Sequence, residues 1–289
     1  MIVDVYKYFK ENPAYNKLVG DDYLFVEYKC PLDVEKFKLW SASHLITYVI
    51  NGRKDWITAN ETYEITAGDA LFIPKGVYTT KQYFEVEYCV MLFFVNDDFI
   101  SFFLKENPKL QCDSSSESKW DSIFKVDVDA SFEALIKSIF EYLKTGQAPQ
   151  ELVELKFREL FFNIMLNPKN KSLTRFLCSL KNKTKEDIKS IMLQNFRYDL
   201  NMEEFAALCG KSLSSFKRNF KEEFNTTPGK WLANQRLNYA QTLLLGSELN
   251  INEICYESGF KNPSHFITLF KDHFNLPPNQ YRVAHQTKA

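Results

Sequence analysis

The C-terminal third of the chain carries one pattern of apolar and polar positions twice. In the first copy Asn201 is followed by Met202, Phe205 and Ala206 at helical spacing, then Gly210, then Phe216, Phe220 and Phe224 four residues apart. In the second, Asn250 is followed by Ile251, Ile254 and Cys255, then Gly259, then Phe266, Phe270 and Phe274. The offset is 49 residues up to the glycine and 50 after it, so one residue is inserted just past the turn. Phenylalanines at every fourth position share one helix face. Each copy therefore predicts a short helix, a glycine turn and a longer helix with a buried aromatic face. Glu204 and Glu253 lie three residues after Asn201 and Asn250, the capping-box pattern of a helix start. Thr227-Pro228 and Pro277-Pro278 put proline in a first helical turn. Between the copies, Pro228 to Leu245 predicts one continuous helix closed by Gly246, and Thr184 to Phe196 predicts a support helix ahead of both.

The N-terminal pattern differs. Residues from about 20 to 104 predict strands, among them Tyr23 to Lys29, Leu45 to Ile50, Ala70 to Ile73 and a long one at Tyr83 to Val95. Asn51-Gly52 predicts a hairpin and Ala67-Gly68-Asp69 a second turn. Short strands at this spacing predict a small barrel or sandwich. Asp113 to Ser118 is polar and predicts a surface loop. Apolar residues then recur at threes and fours (Phe132, Leu135, Ile136, Ile139; Leu152, Leu155, Leu160, Ile164), giving an antiparallel helix pair over 129–144 and 150–168. That pair serves either as internal core or as a dimer face, with Leu160 and Ile164 as the interface residues. Lys169 to Lys185 is rich in lysine and asparagine. The expected organisation is an α+β multidomain chain: a β-domain with a helix pair over 1–168, a linker over 169–183, and an all-α domain over 184–289.

Composition sharpens this. Of 289 residues, 45% are hydrophobic, enough for real cores. The net charge of −1 is unevenly placed: residues 180–289 hold 15 Lys and Arg against 11 Asp and Glu, and residues 1–179 hold 21 against 26. A basic C-terminal part suits a phosphate backbone. The six cysteines form no CxxC motif, and the N-terminus shows no basic segment followed by an apolar core. The longest apolar run, Cys89 to Val95, is seven residues and far too short to span a membrane. A cytoplasmic protein with reduced thiols is expected.

Two tandem helix-turn-helix units point to double-stranded DNA. The face opposite the phenylalanines carries Ser214, Ser215, Lys217, Arg218 and Lys221 in the first copy. Lys and Arg donate to guanine O6 and N7 or to phosphate, and Ser bonds either. A connecting helix of about 18 residues spans about 27 Å, against about 34 Å for one turn of B-DNA. One chain could thus set two recognition helices into successive major-groove segments.

Residues from about 184 to 283 resemble the DNA-binding domain of the AraC/XylS family of bacterial transcription regulators. The resemblance is carried by Ser212 to Lys221, by the stretch TPGKWLANQRLNYAQTLLL from Thr227, by INEICYESGFKNPSHFITLFKDHF from Ile251, and by PPNQYR ending at Arg282. It implies base contacts from Ser214, Lys217 and Arg218 in the first copy and from Ser264, His265, Ile267 and Thr268 in the second. The family often has Arg where this chain has Thr268, so the first copy is expected to carry most specificity. Ser215, Lys221, Lys261 and Lys271 are the expected backbone contacts. The family also implies RNA polymerase as a partner and a homodimer.

Gly68 to Gly76 (GDALFIPKG) resembles the turn-strand-turn of the cupin-like barrel that many family members place first. His44 is the only histidine before His265, which excludes a mostly histidine metal centre there and leaves no metal, cofactor or catalytic residue to assign. The expected function is a sequence-specific regulator, not an enzyme, acting as an activator controlled by a small-molecule effector at the N-terminal domain. The alternatives are gating by a partner protein and, less favoured, a cupin enzyme with an appended DNA-binding domain.

Overall fold

The computed structural model describes residues 3–20, 23–29, 35–58, 61–110, 122–145, 148–180 and 188–286. The chain divides into two units, residues 2–185 and 186–289. The predicted loop at Asp113 to Ser118 and the start of the predicted support helix lie outside the described residues.

The N-terminal unit runs β1 (Val3–Asp4), α1 (Val5–Glu11), β2 (Lys17–Val19), β3 (Tyr23–Lys29), β4 (Lys36–Ser41), β5 (His44–Asn51), β6 (Arg53–Ile57), β7 (Thr62–Thr66), β8 (Ala70–Ile73), β9 (Gly76–Gln82) and β10 (Cys89–Val95). There follow α2 (Asp97–Glu106), β11 (Phe124–Val126), α3 (Ala130–Thr145), α4 (Gln150–Leu166), a single 3-10 turn and α5 (Lys171–Leu180). The strands form two separate sheets, in the orders β1-β4-β9-β6-β7 and β11-β8-β5-β10-β3-β2. They do not close into the barrel the cupin-like motif suggested.

Side-chain alternation builds two cores on the second sheet. Leu24, Val26, Val90, Leu92 and Phe94 face the first sheet, whereas Phe25, Met91, Phe93 and Val95 face helices α2 to α5. A sheet covered on both faces needs apolar residues at every position, and all seven residues of β10 are buried.

Four sequence expectations are corrected. Asn51-Gly52 is not a hairpin: β5 and β6 belong to different sheets, and the glycine turns the corner between them. Its φ is +79°, and a Cβ there would meet Glu87 O and the Tyr88 Cα at 3.0 Å. The strand expected from Tyr83 begins only at Cys89, and Phe84 and Val86 are exposed. Residues 171–180, expected in the linker, form α5, whose Leu173, Phe176, Leu177 and Leu180 pack into the helical core. Leu160 and Ile164 are fully buried in that same core, so they cannot form a dimer face without opening the fold. In addition, Cys178 on α5 is disulfide-bonded, against the all-thiol expectation, while Cys89, Cys209 and Cys255 are buried and outside any disulfide.

His44 is packed, between Phe72 and Phe176. Its Nδ1 accepts from the Lys75 backbone N–H at 3.2 Å, so Nε2 carries the proton and donates to Asp97 at 2.6 Å. Lys75 Nζ donates to the other Asp97 oxygen at 2.7 Å. Burial pushes the Asp97 carboxyl up, but His44 and Lys75 outweigh it and hold the group well below the usual carboxylate range. Among the described residues no group of three or more side chains could hold a metal ion.

Leu160→Ala should destabilise the chain by about 2–5 kcal/mol in urea unfolding. Leu155→Ala, on the exposed side of the same helix, should stay within about 0.5 kcal/mol. Asp97 has a depressed native pKa, so its stabilisation is full above about pH 4 and is lost as pH falls towards the native value. Asp97→Asn should therefore lower stability at pH 7 and flatten the acid limb of the melting-temperature profile.

Candidate nucleic-acid interface

The C-terminal unit is all helix: α6 (Ile188–Asn195), α7 (Met202–Leu208), α8 (Leu213–Phe224), α9 (Pro228–Gly246), α10 (Ile251–Glu257), α11 (Pro263–Phe274) and α12 (Pro278–Gln286). Both predicted capping boxes form: Glu204 N donates to Asn201 Oδ1 at 2.8 Å, and Glu253 N to Asn250 Oδ1 at 3.0 Å. Ser212 and Asn262 cap α8 and α11 by accepting from the N–H groups of Ser215 and His265. Both long helices end on an asparagine in the left-handed region, Asn225 and Asn275.

The aromatic faces are buried as the spacing requires. Phe220 packs on Phe224 at 4.4 Å and on Trp231 at 5.9 Å between centroids. In the second copy Phe270 packs on Phe274 at 4.5 Å and on Tyr281 at 5.5 Å. Tyr281 thus fills the place that Trp231 fills 50 positions earlier.

The opposite faces are open to solvent. Ser214, Lys217, Arg218 and Lys221 are exposed, and their spacing of three, four and seven puts them on one stripe of α8. Ser264, Ile267, Thr268 and Lys271 occupy the equivalent stripe of α11, with His265 exposed beside them. The chemistry differs: where α8 presents Lys217 and Arg218, α11 presents Ile267 and Thr268. The Thr268 hydroxyl donates to the Ser264 carbonyl at 3.1 Å, leaving its methyl as the distinctive outward group. Ser215 is half-buried at the start of α8. Lys261 is exposed but ion-paired with Asp199 at 2.8 Å, so a phosphate would have to compete with that carboxylate.

The sequence reading missed the residues that join the two copies. Arg236, midway along α9, donates from Nε to Phe196 O and from Nη2 to Tyr198 O, both at 2.7 Å. Burial lowers its pKa from the ordinary value, with Asp199 acting against that shift. Gly259, in the turn of the second copy, closes on the same spot: its φ is +89°, and a Cβ would meet Arg197 O at 2.7 Å and Arg236 Nε at 2.9 Å. Arg197 donates to the Tyr239 hydroxyl at 3.1 Å. Arg282 repeats the device on α12, donating to the Leu244 and Leu249 carbonyls. The available signal was an arginine inside an otherwise weakly charged connecting helix.

Two helix-turn-helix units sharing one helix, each with a polar outer stripe, define a DNA-binding protein. A family model described as a helix-turn-helix domain matches residues 205–284, and one described as the ExsA N-terminal regulatory domain matches residues 44–176. The thermoregulatory protein LcrF of Yersinia pestis is 24% identical over 237 residues, covering 81% of this chain and 87% of that protein. The virulence regulon transcriptional activator VirF of Yersinia enterocolitica matches with the same identity and coverage. Among solved structures, ToxT from Vibrio cholerae aligns with 91% of this chain and 98% of its own at 14% identity and a TM-score of 0.40. The chain belongs to the AraC family of DNA-binding transcription regulators.

Gly210 (φ +62°) has nothing within 4 Å of an added Cβ, whereas Gly259 would strike backbone. Gly210→Ala should cost about 1–2 kcal/mol of left-handed strain. Gly259→Ala should cost more, read as a larger fall in melting temperature and a larger loss of operator affinity.

Proposed function

We propose that this regulator is a transcription activator that reads one asymmetric DNA site through two unequal recognition helices. The observation that carries this reading is the exposed Lys217 and Arg218 stripe on α8, repeated in position but not in chemistry on α11. Lys217 and Arg218, with Ser214, read base edges, Arg218 by a two-pronged bond to guanine. Ser264, His265, Ile267 and Thr268 make a weaker, more apolar reading, in which Ile267 and the Thr268 methyl suit a thymine methyl. Lys221 and Lys271 meet phosphates, and Ser215 and Lys261 contribute at the backbone. The name of the similar VirF supports activation, with RNA polymerase as the partner to which such a protein delivers its effect.

Control resides in the N-terminal unit, through a small-molecule effector that shifts the populations of DNA-competent and incompetent states. An apolar cavity of about 120 Å³ between its two sheets supports this over gating by a partner protein. The protein acts without catalysis, as a homodimer in the cytoplasm, through a face other than Leu160 and Ile164. No helix among the described residues is long and apolar enough to cross a membrane.

Selection of the full chain against random duplex DNA should enrich two short blocks about one helical turn apart. Failure to enrich any sequence would remove the proposal. On the enriched site, Arg218→Ala should cost about 1–3 kcal/mol and relax preference at one base pair. Lys271→Ala should weaken all sequences alike and lower the salt slope by about one.

A further inference from the structure

Of the side chains expected at DNA phosphates, Lys261 already holds an anion in the free protein. Its Nζ lies 2.8 Å from Asp199 Oδ1. The backbone on both sides of this pair is held in place. Arg236 fixes the segment after α6 by donating to the Phe196 and Tyr198 carbonyls, both at 2.7 Å. The turn of the second copy closes on that segment at Gly259, where an added Cβ would meet Arg197 O at 2.7 Å. Asp199 stands two residues beyond Arg197, and Lys261 two residues beyond Gly259. Both ends of the ion pair therefore leave a junction that is already packed. They differ in freedom. The aspartate is short, its side chain is 43% exposed, and its charge also acts on the buried Arg236 guanidinium. The lysine is 74% exposed on a flexible four-carbon stem and is free to swing away. Asn262, which caps α11, follows Lys261 directly, so the turn that carries the lysine also delivers the second recognition helix. Lys211, at the same place in the first copy, is half-buried and forms no ion pair among the described residues.

We propose that Asp199 is a built-in competitor for DNA at Lys261: its carboxylate stands in for a backbone phosphate, and the duplex enters the second copy by exchanging one anion for the other. Asp199 does not touch the duplex; it acts through Lys261. Its charge is not abandoned when the lysine leaves, because Arg236 still acts on it. The exchange sets the strength of binding and not its preference, since phosphate contacts carry no sequence information. Operator and arbitrary DNA therefore lose the same factor, and the choice between them is left to Lys217, Arg218 and the outer stripe of α11. The factor is modest, because an exposed ion pair gains little over water. The inference rests on the reading that the C-terminal unit binds duplex DNA with Lys261 at its backbone.

The test is a double-mutant cycle on the full chain. Affinity is read by fluorescence anisotropy on a labelled duplex of about 30 base pairs, long enough for two blocks one helical turn apart. One duplex carries the selected sequence and one a scrambled version of it. Asp199→Asn should tighten both by the same factor, about two- to fivefold at low salt, and the gain should fade as salt is added. In a Lys261→Met chain the same substitution should change neither affinity. Asp199→Glu keeps the charge and should bind like the unaltered chain. Asp199→Ser carries the same reading if Asp199→Asn does not fold. A gain that survives in the Lys261→Met chain overturns the proposal, because Asp199 would then repel the duplex directly. So does an Asp199→Asn chain that is folded but binds no better, or worse, than the unaltered one. In those cases the unaltered chain still binds DNA, and the reading of the C-terminal unit stands. An unaltered chain that binds neither duplex removes that reading and the competitor with it.

Discussion

Both helix-turn-helix copies depend on a single arginine midway along their shared helix. The segment after α6 leaves the Phe196 and Tyr198 carbonyls without helical partners, and buried carbonyls demand donors. Arg236 supplies two from one rigid planar group. The turn of the second copy can approach this clamp only because Gly259 has no side chain. Asp199 and Lys261 add an ion pair across the same junction. The clamp on the segment that leads into the first copy is therefore also in contact with the turn of the second, and both copies lie in one unit.

The N-terminal unit answers a different constraint. Its second sheet is sandwiched between the first sheet and four helices, so it has no face left for water. Its central strand β10 is apolar at every position and could not be oriented by alternation alone. The first sheet keeps one buried face, and the same alternation that fills the inter-sheet core turns Lys54 and Trp56 inward on β6. The buried Trp56 indole N–H has no hydrogen-bond partner among the described residues, and neither have the hydroxyls of Thr47 and Thr80. His44 shows the contrast: both ring nitrogens are engaged and its carboxylate partner is shared with a lysine.

Much of the C-terminal unit was legible because its signals are local. Capping boxes, glycine turns and a phenylalanine every fourth residue each act within a few positions, and their repetition at a near-constant offset identified two copies of one motif. The outer stripe of α8 followed from the same periodicity. The N-terminal unit was less legible because local patterns there have two tertiary outcomes. Asn51-Gly52 has hairpin chemistry, yet its flanking strands pair in different sheets. The apolar stripe of α4 suited a core or a dimer face equally, and Leu160 lies in the core shared by the second sheet and helices α2 to α5. The lysine-rich stretch before the second unit read as a linker because four apolar residues among polar ones are a weak signal until a core receives them.

The sequence by itself determined the number and order of the two longer helices of the repeat, where they start and stop, and which residues face solvent opposite the buried aromatic faces. These follow from hydrogen bonds and side-chain periods spanning fewer than about four residues. Only the tertiary structure decided how the copies are joined, which strands share a sheet, and that Lys54 and Trp56 meet a cavity. Those outcomes depend on contacts between residues far apart in the chain, such as Arg236 with Phe196 and Gly259. No local pattern encodes a buried arginine's acceptor or the partner of a strand edge.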